Sequence, residues 1–453
     1  MRKETLFRHV GVVVASLTIL LSGVGTWANE PDSINEPDLR AAPPTGSEMP
    51  AFCFALGTPA GTMKKALVDV ARYYERHSLS SDSLLKMQVV DRWSYTATDG
   101  SVSSQGTPIT LTWTIVPDGT PIGSGYGEPA NPSNLRSYLN GIYGNVNTWL
   151  PVVQQMFDRW SQLTGVTYVY EPHDDGSTLA TAAGQLGVRA DVRVGGHFID
   201  GNSNVLAYNY YPNNGDMIID TGDSYFTNTS SNSLRLRNML AHEHGHGLGF
   251  AHSCPINQTK LMEPMISVSF DGPQHDDILA AHRNYGDRYE NDETPGTAAP
   301  LGSFGSTTKS NLSVDSNSDT DVYSFIVNAG AAADLTVSPT GMTYLSGPQN
   351  VDGSCSAGTS YNSLTTQDLE VRVIDKNGVS ELASADANGV GQPETLTNVS
   401  LSSGAGTYYI EVTGDSADAT QLYEFSMTIS ATDQVFSEGF ESGDLSTWSS
   451  STP

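Results

Sequence analysis

Cysteine is nearly absent: Cys53, Cys254 and Cys355 are the only three in 453 residues. So few thiols exclude a disulfide framework and leave stability to packing and bound cations, with room for one bridge and one leftover thiol whose pairing the sequence leaves open. Basic residues are scarce as well, 22 Lys and Arg against 50 Asp and Glu, for a formal charge of −28. Such a surface repels nucleic acid and anionic membranes, and it favours solubility and cation binding. Long apolar runs occur in one place only, Val10 to about Gly25, behind Arg2, Lys3 and Arg8 and ahead of Thr26-Trp27-Ala28. That run is too short and wrongly flanked for a membrane anchor, and no cysteine follows it to accept a lipid. Residues 1–28 therefore read as a secretory signal cut near Ala28, and the remainder as a secreted, extracellular chain with no membrane span, expected to be a monomer.

Behind the signal, residues 29–89 begin with a Glu-, Pro-, Asp- and Ser-rich leader. A short helix follows, because Met63, Leu67, Val70, Ala71 and Tyr74 recur at helical spacing. The segment is either a pro-segment covering an active site or a plain N-terminal extension. From residue 90 to 290 the pattern is mixed. Ile109 to Ile115 (ITLTWTI) alternates as a half-buried strand, and Val146 to Leu163 carries Trp149, Val153, Met156, Phe157 and Trp160 on one helix face. Further strands are expected at Val166–Tyr170, Asp191–Val194, Val205–Tyr211 and Met217–Ile219, and a last helix opens at Asp276-Asp277-Ile278 and ends at Tyr285-Gly286. Residues 291–310 (Thr, Pro, Gly, Ala, Ser) read as a linker, and residues 311–431 as short alternating strands with Gly and Asp turns. Residues 432–453 form an acidic tail. The expected fold is an α/β (α+β) domain with a twisted mixed sheet, followed by an all-β sandwich.

The chemistry concentrates in His242–His252, HEHGHGLGFAH. A helix capped at Asn232 or Ser233 and running to about Gly247 places His242 and His246 four residues apart on one face, so their imidazoles can share a metal ion. Gly249 lets the chain leave the helix through a left-handed conformation, and His252 returns as a third nitrogen ligand. Three histidines with one open position suit a catalytic zinc better than a structural one, and Glu243, one step round the helix, is placed as a general base.

Taken with Gly245, Leu248 and Ser253, this stretch resembles the matrixin group of metzincin zinc proteases, whose motif is HExGHxLGxxHS. Met262 and Pro264, in LMEP, resemble the matrixin Met-turn, a methionine floor beneath the metal. The resemblance covers roughly residues 90 to 288, with ITLTWTI, Trp160-Ser161, Thr164 to Tyr168 and Asp276-Asp277-Ile278 in the family's order. It implies one catalytic zinc on His242, His246 and His252, Glu243 as base, and a protein or peptide substrate. It also implies calcium, with Asp200, Asp220 and Asp223 at matching positions, a hard cation requiring oxygen ligands. The chain departs from the family at the structural zinc: Tyr208 and Ile218 stand where histidines are expected, and His197 is out of register, so that second zinc is expected to be absent. The pro-segment cysteine lacks its flanking Arg and Gly. Cys53 in PAFCFALG is a thiolate latch only if the fold brings it to the metal, and Cys254 is expected to staple its loop to another segment.

Asp321–Phe325, Leu369–Ile374 and Gly406–Ile410 resemble the bacterial pre-peptidase C-terminal domain, a β-sandwich attached to secreted proteases. The resemblance implies a bacterial source and a module that aids secretion, solubility or substrate attachment and that can be removed. The function expected of the whole is a secreted zinc endopeptidase. A zinc amidase acting on cell-wall peptides and a non-catalytic adhesion or matrix-binding module are the alternatives. An intact Glu243 argues against the latter, and Met265 and Ile266 are expected to line the specificity wall.

Overall fold

The computed structural model describes residues 50–59, 61–64, 66, 88–102, 104–328, 330–350, 352–415 and 417–431. The signal, the leader up to residue 49, most of the expected helix after Thr62 and the acidic tail lie outside the described residues.

A six-stranded mixed sheet carries the first half of the chain. Its strands are β1 (Ala51–Phe54), β2 (Ile109–Ile115), β3 (Val166–Tyr170), β4 (Val192–His197), β5 (Val205–Asn209) and β6 (Met217–Asp220), in the spatial order β1-β5-β6-β4-β2-β3. β3, β2, β4 and β6 run parallel, while β5 is antiparallel to β6 and β1 antiparallel to β5. Helices α1 (Leu135–Tyr143), α2 (Val146–Leu163), α3 (Ser230–Gly247) and α4 (His275–Tyr285) complete this half. α2 begins where expected because the Asn145 side chain accepts the Asn147 N–H. It then buries Trp149, Val153, Met156, Phe157 and Trp160 against the sheet. Trp113 of β2 stacks on Phe157 at 4.4 Å.

Within α3, Ser231, Asn232 and Ser233 have positive φ, so regular helix starts only beyond Ser233. The expected cap at Asn232 or Ser233 is not formed: the residue preceding α3 is Thr229 and no side chain caps it. Leu236, Met239 and Leu240 then face the core.

The second half is almost wholly β. A five-stranded sheet of order β8-β10-β17-β14-β15 contains β8 (Ala299–Gly302), β10 (Thr320–Val327), β14 (Glu370–Ile374), β15 (Glu381–Ala385) and β17 (Gly406–Thr413). A four-stranded sheet of order β9-β18-β11-β16 contains β9 (Ser306–Val314), β11 (Ala331–Pro339), β16 (Glu394–Ser400) and β18 (Gln421–Ala431). Tyr323, Phe325, Val371 and Ile410 of the first share one apolar core with Leu335, Val337, Phe425 and Met427 of the second. The stretch 291–310, expected as a linker, differs from that expectation: it contains β8 and the start of β9, and its Asp292 is only 1% exposed. Polar side chains hid these strands, because they pair along a sheet edge rather than bury both faces.

A three-stranded sheet joins the halves. β7 (Ser253–Cys254) pairs antiparallel with β12 (Thr343–Pro348), which pairs with β13 (Thr359–Asn362). Cys254 and Cys355 form a disulfide, the staple expected for Cys254, and Cys53 is the free cysteine. No helix among the described residues is long and apolar enough to cross a membrane.

Candidate metal centre

The last turns of α3 are fully buried, and His242 and His246 project from it one turn apart. Gly249 follows with φ 95°, the left-handed exit expected, and a Cβ there would lie 1.9 Å from the Asp91 carbonyl oxygen. The chain therefore reverses against residue 91 and brings His252 back. The three Nε2 atoms converge at 3.1 Å (His246–His242), 3.2 Å (His246–His252) and 3.3 Å (His252–His242). A tetrahedral zinc with bonds of about 2.0–2.1 Å would hold its nitrogens roughly 3.3–3.4 Å apart, so the residues fit that ion.

Each outer nitrogen faces an acceptor. His242 Nδ1 is 2.7 Å from the Leu261 carbonyl, His246 Nδ1 2.6 Å from the Phe250 carbonyl and His252 Nδ1 2.7 Å from Gln349 Oε1. Donating Nδ1–H to these oxygens leaves every Nε2 lone pair pointing at the common centre. Burial also holds the rings neutral, as ligands must be, bringing His242 down to about 3 and His252 to about 4, with His246 well below its usual value.

Glu243 is completely buried beside the triad, and its two carboxylate oxygens carry no hydrogen bond of ordinary geometry. Burial pushes it up to about 8, opposed by the thiol and backbone amide of Cys53 alongside. Met262 lies directly under the helix: a Cβ on Gly245 would fall 2.3 Å from its Sδ, so only glycine lets helix and methionine close together. Asp277 fixes that turn by accepting the backbone N–H groups of Leu261 (2.8 Å) and Met262 (3.0 Å), and Asp276 accepts the Ser253 hydroxyl at 2.8 Å.

β1 occupies the space beside this centre. On one side it pairs with β5, Cys53 opposite Ala207 and Phe52 opposite Tyr208. On the other, Phe54 N–H donates to the Pro264 carbonyl at 3.2 Å and the Phe54 carbonyl accepts Ile266 N–H at 3.1 Å. Cys53 thus points at Glu243 and is not grouped with the three imidazoles. Burial, then the Glu243 charge, raises the Cys53 thiol well above its usual range.

The calcium expectation gains no support at the loops assigned to it. Among the described residues, Asp200, Asp220 and Asp223 belong to no group of converging ligand atoms. Asp220 instead accepts N–H from Ile199, Asp200, Gly201 and Gly222, and Asp223 from Ser203 and Tyr225. The positions considered for a second zinc are also committed elsewhere: His197 Nε2 lies 3.2 Å from Glu128 Oε1, to which the Tyr208 hydroxyl donates at 2.8 Å. Ile218 lies in the core of β6.

Two features escaped the sequence reading. Gln349 is one, almost a hundred residues from the histidine it touches. The other is an acidic pocket at the base of the β-rich half, where Glu290, Asp315 and Asp319, and Glu290, Asp292 and Asp321, place carboxylate oxygens within 4.8 Å of one another. Asp292 is 1% exposed and neither of its oxygens has a hydrogen-bond partner. Burial and then the neighbouring carboxylates push Asp292 up to about 9 and Asp315 to about 8. The available signal was the spacing Glu290-x-Asp292 and Asp315-x3-Asp319-x-Asp321, obscured by the linker-like composition between them.

Residues 145–286 match the matrixin peptidase family model. The matrixin match spans the start of α2 to the end of α4 and so contains the histidine triad, Glu243 and the methionine turn; it supports a zinc metalloprotease in general. No curated protein matches the chain. Among solved structures, the chain is similar to the pre-peptidase C-terminal domain of a collagenase from Bacillus anthracis, at 18% identity and a TM-score of 0.18, over 29% of this chain and 93% of that one. It is also similar to PliG, a periplasmic inhibitor of g-type lysozyme from Aeromonas hydrophila, at 12% identity and a TM-score of 0.17, over 29% of this chain and 96% of that one.

Proposed function

We propose that the chain is a secreted zinc endopeptidase in which His242, His246 and His252 hold the metal and Glu243 is the general base. The observation that carries this reading is the meeting of three Nε2 atoms at 3.1–3.3 Å with a fully buried carboxylate, Glu243, on the same helix. Zinc, when bound, polarises the scissile carbonyl and makes a water acidic enough to attack near neutrality. Glu243 accepts the proton of that water and delivers it to the departing amine. Leu261, Phe250 and Gln349 orient the ligands, and Met262 closes the floor.

β1 is the edge strand beside this centre, hydrogen-bonded to β5 and to Pro264–Ile266, where we place a substrate strand. This supports reading residues 29–89 as a pro-segment that acts by occupation of the cleft and not by a thiolate on the metal. The acidic pocket supports a hard cation, calcium foremost, because a buried carboxylate without a partner must otherwise be neutralised by a proton.

The deciding experiment compares casein hydrolysis by the native protein and Glu243→Gln, each with residues 29–89 cleaved off and its zinc content measured. We expect the variant to keep its zinc and lose activity by at least about a hundredfold; equal rates would refute the mechanism. Turnover of cell-wall peptides in place of casein would favour the amidase reading.

A further inference from the structure

We propose that Gln349 is a positioning residue of the metal centre, which makes the hairpin β12–β13 of the C-terminal half a working part of the active site. The inference rests on the zinc-peptidase reading for the identity of the metal. Two of the three histidines are oriented by carbonyls of the loop that follows their own helix, Leu261 and Phe250. The third is not. His252 Nδ1 finds its acceptor in a side chain brought in from the β-rich half, Gln349 Oε1 at 2.7 Å.

The amide is held in the one orientation that serves this contact. Its Nε2 donates to the Gly353 carbonyl at 2.9 Å, so Oε1 is left to face the imidazole. The backbone around it is fixed on three sides. β7 pairs with β12 so that Ser253 faces Pro348 and Cys254 faces Gly347, Gln349 forms a β-bridge with Cys355, and Cys355 is bonded to Cys254. At the far end of the hairpin, Ser363 Oγ lies 2.6 Å from His275 Nε2 of α4. The ligand His252 and the anchor Cys254 are two residues apart, so the same pairing that ties the halves together sets the distance from Gln349 to the ring.

An acceptor at Nδ1 selects the tautomer whose Nε2 lone pair faces the metal, fixes the ring plane and strengthens the nitrogen as a donor; losing such a partner typically weakens metal binding 10- to 100-fold. Without Gln349 the buried Nδ1–H loses its side-chain acceptor at 2.7 Å, and the ring keeps only the Phe52 backbone as a further hydrogen-bonding neighbour. No hydrolytic role is assigned to the glutamine, which touches neither Glu243 nor the open position.

The test uses the full chain and zinc alone, with affinity measured by competition against a chromophoric chelator and ligand geometry read from the visible spectrum of the cobalt(II)-substituted protein. Gln349→Met, close in size but without an acceptor, is expected to bind zinc 10- to 100-fold more weakly and to shift the cobalt bands. Gln349→Glu, which keeps an oxygen towards His252, is expected to stay near native affinity. The Cys254→Ser/Cys355→Ser double variant should lose part of the same affinity, and adding Gln349→Met to it should cost less than in the native chain, because both changes act on one contact. Native zinc affinity in Gln349→Met, or equal losses in Met and Glu variants with equal falls in melting temperature, would overturn the proposal. A chain that binds zinc tightly yet hydrolyses no peptide even with residues 29–89 cleaved off would instead sink the functional reading, while the affinity comparison still decides the role of Gln349.

Discussion

Gly249 shows how much of the centre hangs on single atoms. Its φ of 95° and the 1.9 Å that would separate a Cβ from the Asp91 oxygen leave no room for a side chain. The residue also accepts Val90 N–H at 2.9 Å, so the segment entering the sheet leans on it. Gly249→Ala is expected to cost about 1–3 kcal/mol from backbone conformation alone, with the clash adding more, and to release His252 from the triad. A thermal melt and a zinc assay check this together; an alanine variant with native stability and native zinc content would contradict it. At this scale the sequence was most readable where partners are neighbours. His242, Glu243, His246, Gly249 and His252 lie within eleven residues, so helix periodicity and one glycine suffice to bring them together. Gln349 obeys no such periodicity, because its place is set by a strand pairing and a disulfide. Asp220 and Asp223 look like oxygen ligands by residue type alone, whereas loop amides donate to their carboxylates.

Among the elements, β1 is the one whose position bears most on activity. It is short, four residues, and lies between β5 and Pro264–Ile266 with Cys53 turned to Glu243. A second negative charge at that point would have to sit, unsolvated, against Glu243. Cys53→Asp in the full chain is therefore expected to unseat the strand and raise peptide hydrolysis at least tenfold over the native full chain, an order of magnitude corresponding to about 1.4 kcal/mol of lost seating. Peptidase rates of the two freshly purified proteins provide the check, and identical rates would argue that β1 does not restrain the enzyme. ITLTWTI and the Val146–Leu163 helix were legible because each buries one face at a regular period. The seating of AFCF was not, since its side chains are buried on both faces and its partners, β5 and residues 264–266, lie far along the chain from it and from each other. β8 and the hairpin β12–β13 were likewise hidden by Ser, Thr, Gly and Pro, residues whose strand pairing is enforced by neighbours and not by propensity.

For the molecule as a whole, the −28 charge and the shortage of cysteine raise the question of what neutralises buried acid. The pocket of Glu290, Asp292, Asp315, Asp319 and Asp321 gathers residues from both sides of the boundary between the catalytic half and the β-rich half. Calcium at a hundred times its dissociation constant would stabilise the native state by about 2.7 kcal/mol. Adding calcium should accordingly raise the melting temperature, EGTA should reverse the rise, and Asp292→Asn should abolish most of it. A native melting temperature indifferent to both calcium and EGTA would leave the pocket without a cation.

The Cys254–Cys355 bond spans 101 residues and closes a ring that contains α4, the acidic pocket and strands β8 to β12. A protease that nicks the chain once anywhere inside that ring cannot liberate the β-rich half, which stays covalently attached to the loop of the metal ligands until the bridge is reduced. In an oxidising exterior the two halves therefore share one lifetime, and shedding the intact C-terminal module, as the resemblance implied, requires reduction of that bridge as well as a cut.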